Sequence, residues 1–147
     1  MSVAHATPAR TAVQIPALNR PVAVLGAAAA AVLVNLVVWL IGAAAGGSFI
    51  LVDGTKTQDV APGGVVVMSA VPLLIGLTAA ALLSYRWVGV LRVAAAVGSV
   101  LTLATIAGTV AAAFDTASTV ALAIMHVMLV PVIVVSMEGL RKHLTER

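Results

Sequence analysis

The stretch TASTVALAIMHVMLVPVIVVSMEGL, residues 116–140, decides the fold, because it is long and apolar enough to cross a membrane as one helix. The hydrocarbon core of a bilayer is about 30 Å thick and needs about 20 predominantly apolar residues in α-helical form. Its one carboxylate, Glu138, comes close to the end of the stretch. The segment therefore predicts a transmembrane helix.

Three other apolar stretches, residues 22–45, 65–84 and 88–113, also reach this length. The second and third connections are very short, which forces neighbouring helices to run antiparallel. Hydrophobic residues make up 62% of the chain and charged residues 9%, whereas globular proteins average about 25% charged residues. The sequence predicts an all-α fold, a transmembrane four-helix up-down bundle over residues 22–140.

Two terminal segments flank this domain, a cytoplasmic N-terminal arm at residues 1–21 and a basic cytoplasmic tail at residues 141–147. The arm is rich in proline and has no sustained apolar period. The first apolar stretch resembles a secretory signal, but its core of about 20 residues is longer than the 7–15 of a signal peptide. We expect it to be a retained transmembrane anchor.

The connection between the first two helices, GGSFILVDGTKTQDVAPGG at residues 46–64, predicts a short β-hairpin. Asp53-Gly54 stands between two strand-like runs, and Asp-Gly favours the tight turns of two-residue hairpins. A two-stranded ribbon is marginal alone, so it must pack on another part of the protein.

The distribution of basic residues predicts the orientation of the bundle. Of the eight Lys and Arg residues, Lys56 alone falls on the hairpin side. The remaining seven are Arg10, Arg20, Arg86, Arg92, Arg141, Lys142 and Arg147. By the positive-inside rule, both termini are cytoplasmic in a plasma membrane and the hairpin is outside. Aromatic residues near the helix ends are then expected in the two headgroup belts, namely Tyr85, Trp87, Phe49 and Phe114.

Three helices each carry a polar group at a similar depth, estimated from a rise of about 1.5 Å per residue. These groups are Asn35, Thr102 and His126, and Thr105 shares the helix face of Thr102. Because polar groups in hydrocarbon are costly without partners, we expect a polar intramembrane seam in which the three face one another.

His126 has three interpretations. It can donate a structural hydrogen bond across the bundle, it can relay protons or contact a substrate, or it can bind haem or copper together with Met125 or Met128. The last has less support, because one histidine cannot supply two axial ligands within one chain, and Met125 and Met128 cannot both face the same way as His126. The structural interpretation is the leading one.

Prolines and glycines mark special positions within the apolar stretches. Pro72 and Pro131 each remove a backbone hydrogen bond, so both predict kinks that widen the bundle. Gly42, Gly46 and Gly98 lie among other small residues and predict close helix packing.

Enzyme chemistry has little support in this chain. Cysteine is absent, which excludes disulfides and thiolate nucleophiles. The carboxylates fall at the two membrane surfaces, and no recognised nucleophile, metal or phosphate motif is present. The basic residues sit at the ends of apolar runs rather than on one soluble face. We expect no enzyme activity, no cofactor, no metal site and no nucleic-acid partner.

The segments AAVLVNLVVWLIG at residues 30–42 and ALAIMHVMLVPVIVVSMEGLRK at residues 121–142 carry a family resemblance. The chain resembles, from about Val22 to Lys142, a family of small four-helix membrane proteins from actinobacteria that is catalogued as a domain of unknown function. The resemblance implies an architecture and a host, and no catalytic or binding residue.

Two functions remain as hypotheses. The first is a non-enzymatic accessory or scaffold subunit of a larger membrane assembly, in contact with a membrane-protein partner or with itself through small-residue helix faces. The second is a small homo-oligomeric transporter or channel that uses the polar seam around His126.

Overall fold

The computed structural model describes residues 14–53 and 55–146, which fold into four helices and one hairpin. The elements are α1 (Arg20–Ala44), β1 (Ile50–Asp53), β2 (Lys56–Asp59), α2 (Pro62–Leu83), α3 (Val90–Ala111) and α4 (Thr116–Thr145). All four helices are long and apolar enough to cross a membrane. The predicted four-helix fold and the predicted hairpin are confirmed, and the chain is a multi-pass membrane protein.

Some predicted features lie outside the described residues. These are most of the N-terminal arm including Arg10, Gly54 of the hairpin turn, and Arg147.

The helix ends differ from the predicted ones where polar residues extend them. Helix α1 begins two residues earlier, because the side chain of Asn19 accepts a hydrogen bond from the backbone N–H of Val22 at 3.0 Å. Helix α4 continues through most of the predicted tail to Thr145. Lys142 and His143 occupy its last turn, where positive charge interacts favourably with the helix dipole.

The four helices form an arc in the order α2, α1, α4, α3. Helix α1 packs against both α2 and α4, and α3 packs against α4, whereas α2 and α3 contact each other only lightly. The larger apolar core joins all four helices and includes Ala27 and Ala31 of α1 and Leu73 and Leu77 of α2. Helices that are neighbours in this order therefore pack tightly against each other. The two helices at the ends of the arc, α2 and α3, are only in light contact.

The segment before α1 lies along the carboxyl-terminal end of α4. The backbone N–H of Leu18 donates to the carbonyl of Gly139 at 2.9 Å, and Lys142 Nζ donates to the carbonyl of Ile15 at 3.2 Å. A Cβ atom at Gly139 would lie 2.8 Å from Leu18 Cγ, so glycine permits this approach. The described part of the predicted arm is thus bound to the bundle.

Arg20 ties α1 to the carboxyl end of α2. Its Nε donates to the carbonyl of Ala81 at 3.3 Å and its Nη2 donates to Ser84 Oγ at 3.3 Å. The guanidinium also lies 3.7 Å from the centre of the Tyr85 ring. A cation at this position satisfies carbonyls that the end of α2 leaves free. On the same side of the bundle, Glu138 of α4 accepts from Arg92 of α3.

The hairpin is antiparallel, and its ladder runs from the pair Ile50 and Asp59 to the pair Asp53 and Lys56. It is joined to α1 by a left-handed glycine, Gly46, with φ +91°. The N–H of Gly46 donates to the carbonyl of Ala43, and the N–H of Gly47 donates to the carbonyl of Gly42. This pair of bonds is a Schellman motif that ends α1 and turns the chain toward the strands.

Phe49 fastens the base of the hairpin to the helices. Its side chain is 1% exposed, and its ring stacks on that of Trp39 with centroids 5.4 Å apart. Its N–H donates to Ser118 Oγ at 2.8 Å, and its carbonyl accepts from the N–H of Val60 at 2.9 Å. The prediction that Phe49 lies in the aromatic belt is wrong, because the hairpin turns this ring inward between α1 and α4.

Candidate functional site

A cavity of about 290 Å³ lies beneath the hairpin, between α1, α2 and α4. Polar and apolar side chains both line it, and two of its polar residues, Asn35 and Ser69, are buried. The polar lining residues are Asn35, Gln58, Asp59, Ser69 and His126. The remainder are Val60, Gly64, Val65, Met68, Phe114, Leu122, Met125 and Leu129.

Asn35 is the most deeply buried polar group in this cavity, with 3% of its surface exposed. Its Nδ2 donates to Ser69 Oγ at 2.8 Å, which links α1 to α2. Its Oδ1 is buried and accepts no hydrogen bond from any described residue. An unsatisfied buried acceptor costs about 1–3 kcal/mol. Asn35, a lining residue of the cavity, therefore carries one acceptor that has no partner among the described residues.

His126 lies half-buried on α4. Its Nδ1 is 2.7 Å from the carbonyl oxygen of Leu122, four residues earlier in the same helix. A carbonyl can only accept, so Nδ1 carries the proton in this contact. In the neutral ring, Nε2 is then an acceptor. The ring is thus held by its own helix, and its free nitrogen has the same hydrogen-bonding character as Asn35 Oδ1.

The outer mouth of the cavity is formed by the hairpin and the first turn of α2. Gln58 and Asp59 of β2 are exposed there, and Gly64 lies opposite them at the start of α2. Val60, the residue after β2, is fixed at this end of the cavity because its carbonyl accepts a hydrogen bond from Trp39 Nε1 at 2.8 Å. The mouth adds a carboxylate to the two acceptors inside.

The structure brings two of the three predicted seam residues together. Asn35 and His126 line the same cavity, whereas Thr102 lines a neighbouring cavity of about 330 Å³ between α2 and α3. Thr105 is exposed, and its hydroxyl donates to the carbonyl of Thr102 within its own helix. Ser69 takes the place that we expected for Thr102, as the hydrogen-bond partner of Asn35.

Sequence reasoning missed Ser69 and Trp39. Ser69 is a lone hydroxyl in the apolar run VVVMSAVPLL, residues 65–74, and an estimate of depth extended to α2 would have found it. Trp39 carries no such signal, because a tryptophan near a helix end is typical of an aromatic belt.

The two prolines lie inside helices and beside cavities. Pro72 lines the cavity between α2 and α3, and Pro131 lines a third cavity, of about 400 Å³, between α1 and α4. Neither contributes to the lining of the cavity beneath the hairpin.

The three glycines predicted for helix packing differ in their surroundings. A Cβ at Gly42 would lie 2.6 Å from Ala121 Cβ, whereas one at Gly98 would lie 3.4 Å from Ile133 Cγ2, an ordinary contact. Gly46 has no described atom within 4 Å of that position and lies beyond the last residue of α1. Gly46 therefore ends the helix rather than packing it.

Asp115 holds the start of β1 against the start of α4. Its carboxylate accepts from the hydroxyl and N–H of Ser118, and from the hydroxyl and N–H of Ser48 at 2.8 and 3.0 Å. The bonds from Ser118, followed by those from Ser48, hold the pKa of the Asp115 carboxyl well below its usual range. A lowered pKa contributes stability that is lost only as the pH falls through the folded value. This contact therefore persists in mild acid.

We expect His126→Leu to cost little folding stability, on the order of 1 kcal/mol, because neutral hydrogen bonds between or within membrane helices are weak. The bond that the substitution removes lies within α4, so no helix loses its partner. Thermal unfolding in detergent measures the cost. Loss of the folded protein on expression would contradict the expectation and would give His126 a larger structural part.

Comparisons with known proteins give one result. Residues 15–143 match the family described as "Family of unknown function (DUF6069)". Comparisons with curated proteins and with solved structures give no significant match. The resemblance to a family of unknown function is confirmed, and the actinobacterial origin stays a prediction.

Proposed function

We propose that this chain, which belongs to the family of unknown function DUF6069, is a non-enzymatic accessory or scaffold subunit of a larger membrane assembly. The observation that carries the proposal is the outer half of α3. Both buried residues of this helix, Leu91 and Ala95, lie in its first two turns, and none of the later α3 residues is buried.

The exposed half of α3 has the composition of a helix-packing face. Small residues follow one another along it, among them Ala104, Gly108 and Ala111. In lipid, helices associate mainly through close van der Waals packing, which small residues permit, rather than through the hydrophobic effect. The loose contact between α2 and α3 leaves room beside this face. A transmembrane helix of a partner protein fits these features.

The partner proposal predicts that a large side chain at Gly108 blocks assembly without harming the fold. No described atom lies within 4 Å of a Cβ at Gly108, so Gly108→Leu should leave the isolated chain folded. Purification in a gentle detergent followed by mass spectrometry should recover a larger membrane protein with the natural chain, and much less of it with the variant.

The matched control is Gly26→Leu on α1, where the nearest atom to an added Cβ is 4.0 Å away. This variant should keep the partner. Recovery of a lone homo-oligomer from the natural chain would contradict the subunit proposal, and so would equal partner loss from both variants.

We also propose that the hairpin lies outside the cell and that both termini are cytoplasmic. The basic residues of α3 and α4 support this, since Arg92, Arg141 and Lys142 lie at the end opposite the hairpin. Single cysteines are simple to introduce because the chain has none. A membrane-impermeant thiol reagent added to whole cells should label Lys56→Cys and leave Glu146→Cys unlabelled. The reverse pattern would invert the topology.

A second candidate function, a small transporter or channel, is favoured by the polar cavity beneath the hairpin. Asn35 and His126 give it hydrogen-bonding groups inside the bundle, and Gln58 and Asp59 of the hairpin also line it. Transport of a charged solute normally involves charged side chains within the membrane. The membrane-spanning helices of this chain contain few of them. Solute flux into proteoliposomes that is abolished by His126→Ala would favour this function over the subunit proposal.

A further inference from the structure

We propose that the cavity beneath the hairpin binds a small organic cation with N–H donors, namely a primary ammonium group on a short apolar body. This inference concerns a ligand site and does not depend on the subunit proposal. It rests on the hydrogen-bonding groups, the charge and the shape of the cavity.

The interior of the cavity offers acceptors. Asn35 Oδ1 is buried and has no partner among the described residues. Asn35 Nδ2 donates to Ser69 Oγ, so the amide nitrogen already has a partner in α2. His126 also lines the cavity, and because its Nδ1–H is directed to the Leu122 carbonyl, Nε2 is a second acceptor in the neutral ring. Hydrogen bonds from a charged donor are roughly twice as strong as those between neutral groups.

The charge at the mouth selects a cation. Asp59 is the one carboxylate among the described lining residues, and no Lys or Arg is among them. Gly64 belongs to the first turn of α2, whose dipole places roughly half a positive charge there. The full negative charge of Asp59 outweighs it. Lys56 lies at the other end of β2 and is not among the described lining residues.

The size and floor of the cavity select a short apolar body. The volume of about 290 Å³ lies at the lower end for ligand pockets, which typically start at about 300 Å³. Leu122, Met125 and Leu129 of α4 line it together with Met68 of α2. Flexible methionine side chains adapt to ligands of irregular shape. An ammonium group between Asp59 and Asn35 would place its alkyl chain against these residues.

The test uses the full chain with Trp87→Phe, which leaves Trp39 as the one tryptophan, since the sequence has two. Trp39 reports on the cavity because its indole N–H donates to the carbonyl of Val60, a lining residue. The purified protein in detergent is titrated at neutral pH with n-butylammonium, tetramethylammonium, butyrate and 1-butanol, and tryptophan fluorescence is followed.

We expect a saturable fluorescence change with n-butylammonium and a weaker or absent one with the other three probes. Tetramethylammonium has the charge without N–H donors, 1-butanol has the chain without the charge, and butyrate has the opposite charge. Equal or tighter binding of any of these three would overturn the proposal. Absence of saturation by n-butylammonium would overturn it as well.

Two variants locate the site. Asn35→Leu should weaken n-butylammonium binding by at least about tenfold, since a hydrogen bond to a charged group is lost. Asp59→Asn should weaken it less, because Asp59 is exposed and screened. Asp53→Asn removes the same charge from the other end of the hairpin and should have no effect. Should Asn35→Leu fail to fold, Asp59→Asn against Asp53→Asn decides, and equal affinities in that pair would overturn the assignment.

Discussion

Replacing Phe49 by alanine is expected to release the hairpin from the helices and to lower the free energy of unfolding by about 3–5 kcal/mol, as for other fully buried phenylalanines. The ring is 1% exposed and is the aromatic partner of Trp39. Alanine retains both backbone bonds of residue 49 and also its positive φ of 55°. The substitution therefore relieves no backbone strain, and the loss of folding stability comes entirely from the packing of the removed ring.

Two measurements check this expectation. Thermal or denaturant unfolding in detergent gives the loss of stability. Trypsin cleavage after Lys56 gives the local release, because Lys56 is in β2 and a detached hairpin exposes its backbone to the protease. The variant should be cleaved much faster than the natural protein.

Phe114→Ala provides the matched control. Phe114 packs against the outer cluster, the apolar cluster at the hairpin end that contains Phe49, Val65, Ala121, Leu122 and Met125. It is only partly buried there, so its loss should cost clearly less than that of Phe49. Trypsin resistance of Lys56 unchanged in Phe49→Ala would mean that the bonds of Ser48 and Asp115 hold the hairpin without the ring.

The helices and the hairpin were predictable from the sequence because each depends on local features. Apolar length alone decides whether a segment spans a bilayer, and residues 116–140 satisfy that requirement without reference to any other part of the chain. Asp53-Gly54 likewise marks a turn by its backbone preference. The hairpin is present, but Asp53 belongs to β1 and pairs with Lys56, so the residues between the strands are 54 and 55 and the turn lies one residue later than predicted.

The partners of the polar groups were not predictable from depth. Depth along a helix places Asn35, Thr102 and His126 at one level, but it does not say which way each helix is rotated. Rotation is set by packing between helices, and here α2 presents Ser69 to Asn35. The light contact between α2 and α3 leaves Thr102 in a separate cavity.

The burial of Phe49 was also beyond sequence reasoning, for a different reason. An aromatic residue next to a helix end is typical of the membrane interface, and nothing local distinguishes it from one that turns inward. The inward turn depends on the left-handed backbone of Gly46 and on Ser118, and Ser118 is close to Phe49 only after the chain has folded.

The outer cluster connects the hairpin with the candidate site. Trp39 stacks on Phe49 and donates to the carbonyl of Val60, and Val60 lines the cavity that contains Asn35 and His126. Loss of the Phe49 ring should therefore disturb the outer wall of the cavity as well as the hairpin. The cavity is a product of hairpin docking rather than of the four helices alone.

Replacing Gly42 by leucine is expected to destabilise the protein by about 2–3 kcal/mol through overpacking. A Cβ at this position would lie 2.6 Å from Ala121 Cβ and 2.8 Å from Phe49 Cζ, so α1 and α4 must separate or the Phe49 ring must move. Replacing a glycine inside a helix improves the helix propensity by up to about 1 kcal/mol. This gain is too small to offset the clash. Unfolding in detergent measures the net change.

Gly108→Leu, at a position with no described atom within 4 Å, controls for the change in helix propensity and should not destabilise the isolated chain. The double variant Gly42→Leu with Phe49→Ala distinguishes the two clashes. Leucine at 42 would fill part of the space that the Phe49 ring vacates, so the two losses should not add, and the interaction should reach about 1 kcal/mol. Strict additivity would mean that the contact with Ala121 alone excludes a side chain at Gly42, and that the approach of α1 to α4 is set without the hairpin.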